Sequence, residues 1–359
     1  MIEPRQQLME TGTDDHGGIV ESELMALSIS PDEVLDFSVS TNPFGPPRSV
    51  LEAVASARFD RYPDRSAVRL REAIAEREGA SADQVVVGNG AVQIIWTVAF
   101  SFLEPGRKAL VVTPTFGEYE VASRLAGAAV LRFSRTTESG GFRLDVRRLE
   151  HTLSDVQPAV VWLCNPNNPT GEYLTPPEIQ RLYRAATEPL FVVDEAYASF
   201  MPDFQPLHGL ERLLRIRSLT KDFAVPGLRL GYAVGSRNVV QALRKMIPPW
   251  SVNAPAMEAG IAMLRDEEFL RDSIPRLLDE SGRLREAIAQ AGWEVLRSPV
   301  HYFLVRVGNA TTFRRRMLVN RKIMVRDCTS FGLPDYIRIS PRHPAENDLL
   351  ISAMEEAHG

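Results

Sequence analysis

Lys221 stands between two apolar runs in Ser218-Leu-Thr-Lys221-Asp-Phe-Ala-Val-Pro-Gly-Leu-Arg229-Leu-Gly-Tyr232. The run Leu213 to Leu219 reads as a strand ending in hydroxyl side chains. A Pro-Gly turn and an arginine follow, then a second strand from Leu230 to Val234. Burial disfavours the charged form of an amine, so a lysine at the mouth of two buried strands is costly to keep. One chemical use for it is a Schiff base with a carbonyl compound. Ser218 and Arg229 are placed to hold a phosphate beside that amine. A lone lysine after a strand is ordinarily a surface residue; matching clusters upstream make this one chemical.

Four such clusters fall where strands are expected to end. Gly88-Asn-Gly90-Ala91-Val92 follows a strand and opens a helix. Glycine lets the backbone approach an anion, and a helix N-terminus offers free N–H groups; a plain helix-start turn explains it equally. The dinucleotide fingerprint G-x-G-x-x-G is broken, because Gln93 takes the third glycine place and no acidic residue closes a second strand about 20 residues on. Phe116, in Pro114-Thr-Phe-Gly-Glu-Tyr119, is placed to stack on a flat ring or to fill the core. Asn165-Pro-Asn-Asn168-Pro-Thr-Gly171 is a rigid turn whose Asn168 can donate to a ring oxygen. In Asp194-Glu-Ala-Tyr197, the aspartate closes a buried strand. Facing a pyridine nitrogen, it would keep that nitrogen protonated; alone it fits a helix N-cap or a metal ligand as well. Together these make a phosphate cradle (Gly90, Ala91, Val92, Ser218, Arg229), a ring clamp (Phe116), a ring-oxygen pair (Asn168, Tyr197), a ring-nitrogen partner (Asp194) and a Schiff-base amine (Lys221). Pyridoxal 5′-phosphate uses all five parts, and no metal is called for.

Over nearly its whole length the chain resembles fold-type I pyridoxal-phosphate enzymes of the class I/II aminotransferases, in the branch of histidinol-phosphate aminotransferase and threonine-phosphate decarboxylase. The resemblance implies the roles just given. It adds Arg338, in Tyr336-Ile-Arg338-Ile-Ser340-Pro-Arg342, as a bidentate clamp for the substrate α-carboxylate. It also implies a homodimer in which Tyr62 reaches the phosphate of the neighbouring subunit's cofactor. His16-Gly-Gly18, Asp36-Phe-Ser, Pro249-Trp-Ser-Val-Asn253 and Arg326-Asp-Cys328 are similar to the decarboxylase pattern. That similarity implies His16 near a substrate phosphate, assisted by Arg342 or Arg326, with Asn42 also on the substrate. Ser40, where that group carries asparagine, and Tyr197, in the aminotransferase manner, depart from it.

The elements around these clusters alternate. Short apolar strands are expected at 85–88, 109–113, 129–133, 159–164, 190–193, 213–219 and 230–234, with helices between most of them. This implies a mostly parallel sheet covered by helices on both faces, with ligands outside the carboxyl ends of the strands. After Pro248-Pro249-Trp250 the pattern changes to a long helical region, about 254–292, and then to a smaller α+β unit. The division expected is 1–46, an N-terminal arm packing with the small domain; 47–250, a large cofactor-binding domain; and 251–359, the small domain.

The 359 residues, 44% hydrophobic, suffice for such a core. A net charge of −5 implies no basic face for nucleic acid. The leading residues are too short and acidic for a DNA-binding extension, which weighs against a regulator that keeps the cofactor domain as a sensor. No apolar run reaches the roughly 18 residues of a membrane span, and the polar N-terminus is no secretory signal. Cys164 and Cys328 lack disulfide or metal spacing, so a reducing cytoplasm is expected. With substrate on the cofactor, proton loss from Cα leads to amino transfer and loss of the carboxylate to decarboxylation. Amino transfer on an amino acid or phosphorylated amino compound is the leading expectation; decarboxylation of a phosphorylated hydroxyamino acid, or elimination or cyclisation where Cβ or Cγ carries a leaving group, is the alternative, and a nicotinamide-dependent dehydrogenase is the least favoured.

Overall fold

In the computed structural model, which describes residues 3–12, 16–138 and 141–358, the core strands are buried at every position in Val160–Cys164, Leu190–Asp194 and Leu230–Val234. Continuous burial is what helices on both faces of a sheet impose. The large sheet has seven strands, in the order Val85–Asn89, Leu230–Val234, Leu213–Ser218, Leu190–Asp194, Val160–Cys164, Lys108–Thr113, Ala129–Ser134. Leu230–Val234 runs antiparallel to both neighbours, and the other pairings are parallel. Because that one strand is reversed, its beginning lies in the row where the parallel strands end: Leu230 pairs with Asn89, and Gly231 with Ser218.

One face carries helices Gly90–Phe102, Glu118–Leu125 and Arg237–Met246 over a core of Ile94, Val98, Trp162 and Ile216. Val146–Val156 and Pro176–Ala185 cover the other face around Leu110, Leu163 and Phe191. A hairpin of Thr136–Glu138 and Gly141–Arg143, not expected from the sequence, extends from the edge.

The second sheet is four-stranded and antiparallel: Glu294–Val295, Phe303–Arg306, Tyr336–Ile339, Arg326–Asp327. The leading segment packs beside it through a separate two-stranded pairing. Leu35–Asp36 pairs in parallel with Ile323–Met324, and Phe37 is buried among Leu284, Phe303 and Ile337. Residues 1, 2 and 13–15 of the expected arm lie outside the described residues.

The expected helix over 254–292 is two helices, Ala254–Arg265 and Glu267–Gln290. Asp266 separates them and caps the second by accepting from the Phe269 N–H. The first packs on Arg48–Ala55 and Val68–Glu78, sharing the core of Leu70, Ile74, Leu230 and Tyr232. Its buried residues therefore belong with the large sheet, and a division at residue 250 separates it from its packing partners.

Helix Gly90–Phe102 meets the sheet at backbone distance. A Cβ on Gly231 would lie 2.5 Å from Ala91 N and 2.9 Å from Ala91 Cα, backbone atoms that cannot swing aside. Gly231→Ala is therefore expected to lower the unfolding free energy by about 1–3 kcal/mol through overpacking, read by denaturant unfolding against the unaltered chain.

Candidate active site

The strand ends converge on a cavity of about 340 Å³ between the two sheets. Its lining includes Gly90, Ala91, Val92, Phe116, Asn168, Asp194, Tyr197, Ser218, Lys221, Arg229, Arg338 and His16. With Arg326, also in the lining, thirteen of the sixteen site residues expected from the sequence are thus brought together, from segments as distant as 16 and 338.

At one end is a cradle. Gly90 has φ +76° and starts its helix with no side chain capping the first turn, so backbone N–H groups are presented to an anion. A Cβ there would lie 2.7 Å from Arg229 Nη2, so the guanidinium occupies the space that only glycine leaves open. Ser218 and Thr220 place their hydroxyls 3.2 Å apart in the same lining. Gln93, which breaks the dinucleotide fingerprint, accepts from the Asn89 N–H at 2.7 Å and anchors the turn.

At the other end Asp194 is buried. Its Oδ1 accepts from the Ala196 N–H at 2.9 Å, and its Oδ2 from the Tyr119 hydroxyl at 2.7 Å. Burial, and then the charge of Asp194, push the Tyr119 phenol well above its ordinary range, so it stays a donor. Burial likewise pushes the neighbouring Cys164 thiol up to about 11, which removes it as a nucleophile near neutrality.

The Asn-Pro turn divides its labour. Asn165 makes two bonds with the Leu174 backbone; Asn167 donates to Pro114 O and accepts from Thr115 Oγ1. These lock the loop, and Asn168 lines the cavity. Asn168 Oδ1 accepts from Arg338 Nη1, while Arg338 Nη2 donates to Ser38 O at 2.7 Å. Arg338 and Asn168 are both buried. Lys221 Nζ sits 4.3 Å from the Tyr197 ring centroid. Of the chain's four lysines, Lys108, Lys221, Lys245 and Lys322, only Lys221 lines this cavity.

Three expected residues lie elsewhere. Asn42 is buried behind the lysine: its N–H donates to Lys221 O, and its Nδ2 to Asp222 O and Ser273 Oγ. Its donors are spent on shaping the lysine turn, which leaves none for substrate. Arg342 is outside the lining, held by Glu346 and by Asp36 O. Arg326, the alternative to Arg342, does line the cavity beside Arg229 and Arg338; it is paired directly across from Arg338 and is also buried. Tyr62 is 77% exposed, stacked on Trp250 at 4.8 Å, and absent from the lining.

His16 lies over Phe116, ring centroids 5.3 Å apart, with Nε2 2.9 Å from Glu118 Oε1. Trp96 Nε1 holds the other Glu118 oxygen. The His16 bond, foremost, keeps the Glu118 carboxyl below its ordinary range. Tyr119, Thr220 and Glu118 were within quoted motifs but not singled out. Their roles depend on which way a helix or turn faces, and periodicity does not fix that for so short a segment.

The donor set fits pyridoxal 5′-phosphate. It offers a cradle that a Cβ would fill, a buried carboxylate with one oxygen turned to a phenol, and an amine between them. Among the described residues no group of three or more His, Cys, Asp or Glu side chains is arranged for a metal, and no helix is long and apolar enough to cross a membrane.

Residues 32–354 match the family model of class I and II aminotransferases. The threonine-phosphate decarboxylase of Salmonella typhimurium is 36% identical over 94% of this chain and 95% of its own length. A histidinol-phosphate aminotransferase of Carboxydothermus hydrogenoformans is 30% identical over 86% and 85%. The histidinol-phosphate aminotransferase of Sinorhizobium meliloti, solved in complex with pyridoxal 5′-phosphate, superposes with a TM-score of 0.88 over 100% of this chain and 98% of its own. At 22% identity that likeness shows the fold.

His301 lies behind Tyr197, fully buried, with both ring nitrogens lacking a hydrogen-bond partner and Phe200 4.0 Å away between centroids. Burial first, then the Arg338 charge, lower its pKa to about 3. Unfolded, it takes up a proton near 6.5, so the unfolded state binds protons first and stability falls as pH drops from about 6.5 toward 3. The slope from this group is at most about 1.4 kcal/mol per pH unit. Unfolding titrations between pH 7 and 4 should show a shallower acid loss in His301→Phe than in the unaltered protein; equal slopes would contradict a neutral buried imidazole.

Proposed function

The chain belongs to the class I and II aminotransferase family, and on that premise we propose that it transfers the amino group of an amino acid carrying a second anionic group. Pyridoxal 5′-phosphate is the cofactor, and when bound it supplies an electron sink for negative charge at the substrate's α-carbon.

In this reading the chain's own residues divide the work. Gly90, Ala91 and Val92 offer backbone N–H groups to the cofactor phosphate, with Ser218 and Arg229 beside them. Phe116 supplies the stacking face. Asn168 and Tyr197 hold the ring oxygen. Asp194 would face the ring nitrogen as hydrogen-bond partner. Lys221 Nζ would hold the aldehyde and, as a free amine, would move the α-proton. Arg338 takes the α-carboxylate through its planar fork. Because Arg338 is pinned to Asn168 Oδ1 and Ser38 O, a carboxylate bound there is tied down beside Asn168. The bond left for Lys221 to serve is Cα–H, which is why amino transfer leads.

The observation that carries the substrate class is the pair of buried arginines, Arg326 and Arg338, opposite one another on neighbouring strands and both lining the cavity. Two guanidinium groups brought together out of water suit two anionic groups on one substrate, a carboxylate and a phosphate. His16 at the rim adds a third polar contact. We assign Tyr62 to the cavity of a second copy, since it does not line its own; it is exposed and stacks on exposed Trp250, consistent with a homodimer. Two buried cysteines, neither in a disulfide, suit the cytoplasm.

Decarboxylation is the second reading. It is favoured by the 36% identity to a threonine-phosphate decarboxylase over nearly both chains. Incubation with O-phosphothreonine, O-phosphoserine and histidinol phosphate separates the two. Amino transfer predicts conversion of the cofactor to its amine form, reversed by an oxo-acid; release of carbon dioxide from the phosphoamino acids would replace it with the second reading. Arg326→Ala is expected to raise KM for the phosphorylated substrate about 10- to 100-fold with a small change in kcat, the loss of one or two charge-assisted hydrogen bonds.

A further inference from the structure

One residue of the cavity touches both the ring clamp and the ring-nitrogen partner. Tyr119 is 1% exposed. Its ring lies edge-on to Phe116, centroids 5.7 Å apart at 80°, and its hydroxyl donates to Asp194 Oδ2 at 2.7 Å. The ring is held from behind by Trp162, parallel to within 11° at 5.3 Å. The backbone is held too: Trp162 Nε1 donates to Ser123 Oγ at 3.1 Å, and Ser123 Oγ donates to Tyr119 O at 2.6 Å. Trp162 and Ser123 are fully buried, so the phenol has one position.

We propose that Tyr119 is a positioning residue for the cofactor, acting through Asp194: its hydroxyl fixes the direction in which the carboxylate meets the ring nitrogen. The inference rests on the cofactor assignment above. Asp194 Oδ1 is tied to the Ala196 N–H. With Oδ1 alone tied, the carboxylate would rotate about its terminal torsion, which is broad for aspartate. The Tyr119 hydroxyl is the second tie that sets its plane. A charge-assisted bond of this kind between buried groups contributes more than a neutral one. The phenol is also a safe donor, because burial keeps it protonated across the working range. Tyr119 reaches the site through its bond to Asp194, so its effect is exerted on cofactor binding.

The test is a double-mutant cycle on cofactor affinity, measured by titrating cofactor-free full-length protein with pyridoxal 5′-phosphate. Tyr119→Phe should weaken binding about tenfold in the unaltered background and less than about twofold in Asp194→Asn, because the hydroxyl acts only through the carboxylate. A packing role alone would give the same factor in both backgrounds and would overturn the inference, as would an unchanged affinity in Tyr119→Phe. If Tyr119→Phe does not accumulate folded, Ser123→Ala, which keeps the phenol but frees its backbone anchor, is read by the same cycle with the same criterion. An unaltered protein that takes up no pyridoxal 5′-phosphate would remove the cofactor assignment itself, and this inference with it.

Discussion

A carboxylate at the end of a strand covered on both faces has to be compensated, and much of this molecule is arranged around that requirement. Asp194 closes Leu190–Asp194 in the middle of the large sheet. Protein donors reach both of its oxygens. The strand beside it continues into the turn that carries Lys221. Asn42 braces that turn from behind through the backbone of Lys221 and Asp222. A charge, its donors and an amine are thereby held in one crevice by backbone register, with little left to side-chain freedom.

The second constraint is the meeting of the two sheets. Arg338 belongs to the smaller sheet, Asn168 to a turn of the larger, and Ser38 to the leading segment. One guanidinium bonds to both of the others. Tyr302 adds another tie across the same gap, donating to Asn167 O at 2.9 Å. Polar bonds inside a water-poor cavity fix geometry more strongly than the same bonds at a surface. The cavity therefore depends on all three segments, and Arg326 and Arg338, which line it, are presented by strands paired with each other.

The alternation of apolar runs and helical patterns was enough to read the large sheet, because a buried parallel strand is recorded directly as consecutive apolar residues. The cavity's lining was legible for a related reason: Gly90, Asn168, Asp194 and Lys221 each end or follow such a run, where a strand must end. Less legible were residues whose position depends on which way a side chain turns. Asn42 and Arg342 sit in motifs that suggest substrate contact, yet one is spent on the lysine turn and the other on Glu346. Of the two arginines the sequence offered, Arg326 is the one in the cavity lining, because strand pairing sets it opposite Arg338, a register that the sequence does not record. The helix Ala254–Arg265 misled for another reason. It follows a Pro-Pro break, which looks like a boundary, but its small residues Ala256, Ala259 and Gly260 pack it onto the larger unit.

The central claim is that one amine of the chain binds the aldehyde of pyridoxal 5′-phosphate. Borohydride reduction of the cofactor-loaded protein converts such a linkage to a stable secondary amine, and peptide mass spectrometry then locates it among the four lysines. The account predicts a single pyridoxyl group on Lys221. Labelling of Lys108, Lys245 or Lys322 instead, or of no lysine, would contradict it.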